Sequence, residues 1–375
     1  MILNFNLSDN SLGRAYLLAQ MLSRDYEVRI TGPLIKGKIW EPLRNSEIPF
    51  TVLPYAKFPA LLFKLPCILK EIDGELIYAI KPRFTSFGLA LLKKMVSHTP
   101  VILDIDDWEV GFFLKKGFLS RLSRLTHILN PNGLFWTWVL EFFVPLADRV
   151  TTVSSFLQSR FGGDIIPHAK DISILNPELV RTDRLRMELG LEGKRIVMFC
   201  GTPREHKGVE DALKGVLMID DPNLVMVVVG ANLEGEYENR LREIGGERLI
   251  MVGFRPLGEI PHYLGMADVV VVPQRDTPDT VGQIPSKLLD AMAMGRPVIS
   301  TSVSDIPEIL DGCGIIVPPG SPEAIRDALV WIIANPDEAR LLGIKARERC
   351  IALFSMETVR KRLKEIVDGL LRERR

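Results

Sequence analysis

Arg195-Ile-Val-Met-Phe-Cys-Gly-Thr-Pro-Arg-Glu-His-Lys-Gly-Val-Glu-Asp-Ala-Leu-Lys-Gly-Val-Leu217 holds a whole structural cycle in one stretch. Arg195–Cys200 is a short apolar run suited to a buried strand, and Val209–Leu217 has the spacing of an amphipathic helix. Between them lies a loop bounded by Gly201 and Gly208. The cycle recurs along the chain. Candidate strands are Val28–Thr31, Leu76–Ala79, Val101–Ile105, Val150–Val153, Leu224–Val229, Val269–Pro273 and Val298–Thr301. Helical patterns fall at Arg14–Leu22, Gly88–Met95, Ser154–Phe161, Lys287–Met294 and Pro322–Asn335. Such alternation predicts an α/β protein with parallel sheets. A proline-bearing segment, Ile165–Pro177, interrupts it and marks a boundary near residue 170. The expected architecture is two Rossmann-like α/β domains facing across a cleft.

The 375 residues carry 47 basic and 47 acidic side chains, and 47% are hydrophobic. That composition excludes wholesale disorder, and zero net charge argues against nucleic acid as a partner. Cys67, Cys200, Cys313 and Cys350 lie far apart without CxxC spacing. This excludes a disulfide scaffold or a cysteine zinc site and suits a reducing cytoplasm. The N-terminus has no basic n-region, so no secretory signal is expected. The apolar stretch Leu134–Ala147 contains Glu141 and Pro145 and falls short of the ~20 residues that span a bilayer.

Two segments of the second half carry the chemistry. Gly201–Gly208 follows a strand, opens a helix and holds Arg204 and Lys207. Backbone amides, the helix dipole and two cations together favour an anion there. A solvated loop is the plainer reading. In Ile284-Pro-Ser-Lys-Leu-Leu-Asp-Ala-Met-Ala-Met-Gly-Arg-Pro-Val-Ile-Ser-Thr301, Ser286 reads as N-cap, Gly295 as the residue after the C-cap and Pro297 as the stop. Ser286 and Asp290 share a helix face. A diphosphate at the amides of Ser286 and Lys287 puts Asp290 about one turn deeper, beside ribose hydroxyls. An acid near a helix N-terminus also stabilises the helix by itself.

These residues resemble the GT-B retaining glycosyltransferases of the family 4 type (glycosyl transferases group 1). The likeness runs through most of the chain and is densest from Arg195 to Pro319. It rests on Gly201 with Lys207-Gly208, Val252-Gly-Phe-Arg255, Ala267-Asp-Val-Val-Val-Val-Pro273, Asp290–Val298, and Ser304–Glu308 with Gly314–Pro318. The resemblance implies that Lys207 holds a donor diphosphate, that Gly253 and Phe254 meet the nucleobase, and that Asp290 holds the ribose. Asp stands there where Glu is usual. It further implies Gly201, Ser286 and Lys287 as donor contacts, and Gly13 as a close backbone approach to the donor phosphates. Thr202 stands where the family often has Arg, which leaves Arg204 as the second cation. Gly282 stands where a Glu commonly meets the donor sugar; Asp276, Asp279 and Gln283 are the replacements at hand.

The acceptor side falls to residues 1–170, the donor side to 171–355, and residues 356–375 are expected to form a helix returning to the first domain. Pro100-Val-Ile-Leu-Asp-Ile-Asp-Asp-Trp-Glu109 ends a strand with four carboxylates that cannot all ionise cheaply if buried. By pattern Asp106 takes the place of the family's His. Asp106 and Asp107 are assigned to acceptor binding or proton removal, and Trp108 to stacking on a sugar. A DxD metal site is the rival, although the family is usually metal-independent, and neither metal nor cofactor is expected. His168 reads as part of an interdomain segment; His98, His127, His206 and His262 read as structural.

Residues 111–140 contain Lys115, Lys116, Arg121 and Arg124 and no acid. They read as a basic amphipathic surface for the inner face of a membrane, or as packed helices. The expected activity moves a sugar from a UDP- or GDP-sugar to a glycan or lipid-linked acceptor with retention. Lys207 and Arg204 would stabilise the leaving diphosphate and Asp106 would complete the catalytic set. A sugar-nucleotide epimerase of the same fold and a silent nucleotide-sugar-binding subunit are the alternatives. Residues 1–170 with 356–375 carry +8, and the remainder −8. Neutrality thus excludes a general polyanion binder but not a one-sided one.

Overall fold

A computed structural model describes residues 1–114 and 127–373 of the protein. Met1–His168 with the chain from Val359 onward make one compact unit, and Ala169–Thr358 make the other.

The first unit is built on β1 (Ile2–Asn4), β2 (Ile30–Pro33), β3 (Phe50–Leu53), β4 (Ile77–Ile80), β5 (Val101–Ile105), β6 (Arg149–Thr152) and β7 (Asp164–Ile165). All pair in parallel in the order β3-β2-β1-β4-β5-β6-β7. The order reverses between β1 and β4, and the crevice at that reversal is where such sheets place ligands. β4 and β5 are buried along their whole length, as strands covered on both faces must be. The helices Ala60–Glu71, Leu89–Ser97 and Ser155–Phe161 bury Leu61, Ile68, Leu89 and Leu157 in one core with Leu103 and Ile105. The helix Met356–Glu373 is tied to this unit by Tyr26 Oη, which donates to Asp368 Oδ1 at 2.5 Å, and by Arg360 on Asp25.

The second unit has β8 (Arg195–Cys200), β9 (Leu224–Val229), β10 (Leu249–Val252), β11 (Val269–Val272), β12 (Val298–Thr301) and β13 (Ile315–Val317). They are parallel in the order β10-β9-β8-β11-β12-β13. β8 sits at the reversal, so the loop after it opens at the ligand-binding edge. Alternate residues feed two cores, Ile196 and Met198 on one face and Val197 and Phe199 on the other.

Several boundaries differ from the sequence reading for local reasons. Ser286 is not an N-cap: Pro285 occupies that place with an extended backbone, and Ser286 is the first residue of the helix Ser286–Ala293. The helix expected from Gly88 begins at Leu89, after a wide turn over Phe84–Gly88. Leu134–Phe142 is a helix that ends before Pro145, and no helix among the described residues is long and apolar enough to cross a membrane. Lys115, Lys116, Arg121 and Arg124, the basic part of the surface read from residues 111–140, lie outside the described residues.

Candidate functional site

Seven expected donor-side residues, Gly201, Lys207, Gly253, Phe254, Ser286, Lys287 and Asp290, sit on loops at the carboxyl edge of the second unit's sheet or on the helix that opens there. β8 runs into Gly201, whose φ of +126° suits glycine. The main chain then passes through Thr202, Pro203 and Arg204 to a single turn, Glu205–Lys207. Gly208 follows at φ +65° and heads the helix Val209–Leu217. A Cβ on Gly208 would sit 1.8 Å from the carbonyl oxygen of Pro273, so both conformation and space require glycine.

That turn aims Lys207 back across the loop, where its ammonium donates to the Thr202 carbonyl at 2.8 Å. Lys287 reaches the same place from the second turn-forming residue of the helix Ser286–Ala293. Its Nζ and Cε lie 3.5 Å from where a Gly201 Cβ would be, and its ammonium stands over the Phe199 ring at 4.2 Å. Neither lysine has a carboxylate within ion-pair distance among the described residues. Burial and the neighbouring Arg204 hold Lys207 down at about 8. Burial and Lys207 push Lys287 well below its ordinary range. Two crowded, partly desolvated ammonium groups without an ion-paired carboxylate among the described residues make a site that an anion would relieve. Arg204 is exposed beside them.

The remaining expected donor residues of the second unit lie on the loop after β10 and on the helix Ser286–Ala293. A Cβ on Gly230, which has φ +95°, would sit 3.2 Å from the Gly201 carbonyl carbon, and Gly230 donates its N–H to Val252 O at 2.9 Å. Gly253 and Phe254 follow directly, and Phe254 is 69% exposed. Asp290 lies one turn beyond Ser286 and is paired with Lys170 at 2.5 Å. The Lys170 ammonium also donates to Ser286 Oγ at 2.5 Å. Lys170 was invisible to the sequence reading because its partners lie more than a hundred residues away. Of the three replacements for the family's sugar-facing Glu, Asp279 is buried and engaged by Thr277 Oγ1 at 2.6 Å and His206 at 3.4 Å; Asp276 is exposed. His206, read as structural, thus sits in the Gly201–Gly208 loop against an acid.

In the first unit the four carboxylates in and after β5 meet three cations among the described residues. Asp104 is buried and takes two hydrogen bonds from Arg14, at 2.9 and 2.8 Å, and one from Thr151 Oγ1 at 2.8 Å. Arg14 is held in turn by the carbonyls of Ile166 and Pro167. Lys81, whose φ of +66° is rare for a side chain of its size, lies within 3.2 Å of Asp106, 2.6 Å of Asp107 and 2.7 Å of Glu109. Arg83 pairs with Glu109 as well.

Three cations leave one negative charge uncompensated, and it falls on Asp106. Burial raises its carboxyl most; Asp107 and Asp104 add to this against Lys81, and the result is about 7. Burial would lift Glu109 also, but Arg83 and Lys81 outweigh it and hold that group at about 2. Asp106 Oδ1 is buried without a well-aligned hydrogen bond. Trp108 is packed between Phe156, centroids 5.7 Å apart, and the Arg160 guanidinium at 4.5 Å. Its ring is thus largely taken up by the protein. Gly13 lies in the first turn of the helix Leu12–Leu22, with Trp40 over it. Ser11 precedes that helix without a side-chain cap; its hydroxyl donates to Asp9 at 2.6 Å.

Residues 194–335 match the family model described as Glycosyl transferases group 1. AmsK, an amylovoran biosynthesis glycosyltransferase of Erwinia amylovora, is 31% identical over 123 residues, which cover 32% of this chain and 30% of AmsK. A GDP-mannose-dependent alpha-(1-6)-phosphatidylinositol monomannoside mannosyltransferase of Mycolicibacterium smegmatis is 26% identical over 242 residues, 60% of this chain and 63% of its own length. The chain thus spans less than two thirds of either relative. The crystal structure of Anabaena Alr3699/HepE in complex with UDP aligns over 98% of this chain and 99% of its own, with a TM-score of 0.76 and 17% identity. The protein therefore has the GT-B fold. The matched residues 194–335 contain the motifs of the second half that carry the resemblance.

Proposed function

We propose that the protein moves a sugar from a nucleoside-diphosphate sugar to a glycan or lipid-linked acceptor, with retention of configuration. The observation that carries this is the pair of lysines at the end of β8, two ammonium groups with no carboxylate within ion-pair distance among the described residues. A donor diphosphate supplies the missing charge. As the bond to the sugar breaks, negative charge grows on the leaving diphosphate, and Lys207, Lys287 and Arg204 stabilise it where it forms. Gly253 and Phe254 offer a main-chain edge and an exposed ring to the base. Asp290 accepts from the ribose. UDP and GDP are the candidate nucleotides: the HepE structure contains UDP, and the mycobacterial relative is GDP-mannose-dependent.

The acceptor is assigned to the first unit, where Asp106 and Asp107 end β5. A carboxyl titrating at about 7 exchanges a proton readily at neutral pH and can orient or deprotonate an acceptor hydroxyl. The +8 charge of that part of the chain and the basic run in residues 111–140 suit a peripheral position on an anionic inner membrane face. A panel of UDP- and GDP-sugars, each with and without glycan or lipid-phosphate acceptors, tests the reading. Release of nucleoside diphosphate only with acceptor, and a product of unchanged anomeric configuration by NMR, is expected. Isomerisation of the sugar nucleotide without acceptor would instead indicate an epimerase. Binding without turnover would indicate a silent subunit.

A further inference from the structure

Lys170 lies outside every motif that pointed to the donor site, yet two of that site's residues converge on it. Its main chain is fixed: the N–H donates to Phe354 O at 2.7 Å, and its carbonyl accepts from Met356 N–H at 2.9 Å. The side chain is buried, and its ammonium lies 2.5 Å from both Ser286 Oγ and Asp290 Oδ1. Oδ1 is thereby occupied. Oδ2 makes no hydrogen bond among the described residues, and the Asp290 side chain keeps 23% of its surface open.

An aspartate without such an anchor turns freely about its terminal torsion and can present either oxygen. This one cannot. Its charge is also offset close by, which matters beside a diphosphate, because Asp290 and Lys287 are near enough to feel each other's charge. Resting on the donor reading above, we infer that Lys170 is a positioning residue. It locks Asp290 so that a single carboxylate oxygen accepts a single ribose hydroxyl, and the site distinguishes one of the two hydroxyls rather than both.

Calorimetric titration with a nucleoside diphosphate and its 2′-deoxy and 3′-deoxy forms, carrying whichever base the wild type binds, tests this. One deoxy form should bind about tenfold more weakly, as loss of a hydrogen bond to a charged group does, and the other within about twofold. Lys170→Met should reduce that tenfold ratio to about twofold. The ratio of diphosphate to monophosphate affinity, which reads the Lys207 and Lys287 side, should stay unchanged. Equal losses for both deoxy forms in the wild type, or full discrimination in Lys170→Met, would overturn the proposal while leaving the donor reading intact. No binding of any nucleoside diphosphate by the wild type would overturn both. Should circular dichroism show Lys170→Met unfolded, Ser286→Ala removes the ammonium's second anchor without touching the ion pair. It should about halve the discrimination ratio, and an unchanged ratio would count against the positioning role.

Discussion

Asp106 shows how charge arithmetic at single residues translates into chemistry. Four carboxylates close in sequence signalled that, if buried, they cannot all ionise cheaply and some must be exposed, hydrogen-bonded or protonated; which ones depends on cations the sequence did not connect to them. Arg14 lies ninety residues from Asp104, and Lys81 reaches three acids from a left-handed backbone position. Such pairings are set by strand order, and no local pattern encodes them. The consequence for stability has a definite sign. The folded-state carboxyl of Asp106 is raised from 3.8 to about 7, so the folded chain holds this proton more tightly than the unfolded one. Its contribution is full below about pH 4 and is lost as pH rises through 7. Asp106→Asn should therefore gain stability relative to the wild type as pH rises from 4 to 8, measured by urea unfolding. Parallel pH profiles for the two proteins would show that Asp106 is not the group that retains the proton.

At the scale of elements, sequence was most informative where one physical signal dominated. β5, β8, β9 and β12 and the helix Val209–Leu217 carry continuous apolar runs or clean helical spacing, and all five stand where those patterns put them. The helix Ala60–Glu71 escaped because Pro66 lies inside it, and β3 because Phe50–Leu53 is only partly buried. Ser286 was misplaced because capping residues are recognised by type, whereas Pro285 takes the capping position by its backbone angles alone. The Gly201–Gly208 loop offers a test that separates conformation from space. Gly208 and Gly312 share nearly the same φ, +65° and +66°, but only Gly208 has a carbonyl where a Cβ would go. Gly312→Ala should cost about 1–2 kcal/mol, the ordinary left-handed penalty. Gly208→Ala should cost about 3 kcal/mol or more, because a main-chain clash is added. Equal losses in denaturant unfolding would mean that the approach of Pro273 does not constrain the loop.

For the whole molecule, the opening cycle of strand, glycine loop and helix extends to two parallel sheets, each with an order reversal that fixes where ligands collect. Net charge alone concealed an uneven distribution. The acidic part, 171–355, holds the lysine pair, so the proposed donor diphosphate would be gripped there by local groups rather than by a general field. The basic part is suited to an anionic surface, at about 1 kcal/mol for each lysine or arginine near a charged bilayer. The protein should co-sediment with vesicles containing phosphatidylglycerol and not with neutral ones, and raised salt should release it. Replacing Lys115, Lys116, Arg121 and Arg124 together by Ala should abolish the association; unchanged sedimentation would remove the membrane from the account.

The central claim is that Lys207 and its neighbours form a donor-diphosphate site. Titration calorimetry of UDP and GDP against the wild type and Lys207→Ala at pH 7 tests it most directly. The account predicts that one of the two nucleotides binds the wild type and loses about 1.5–3 kcal/mol of affinity in the variant, the worth of a hydrogen bond to a charged group. Identical affinities in the two proteins would contradict it.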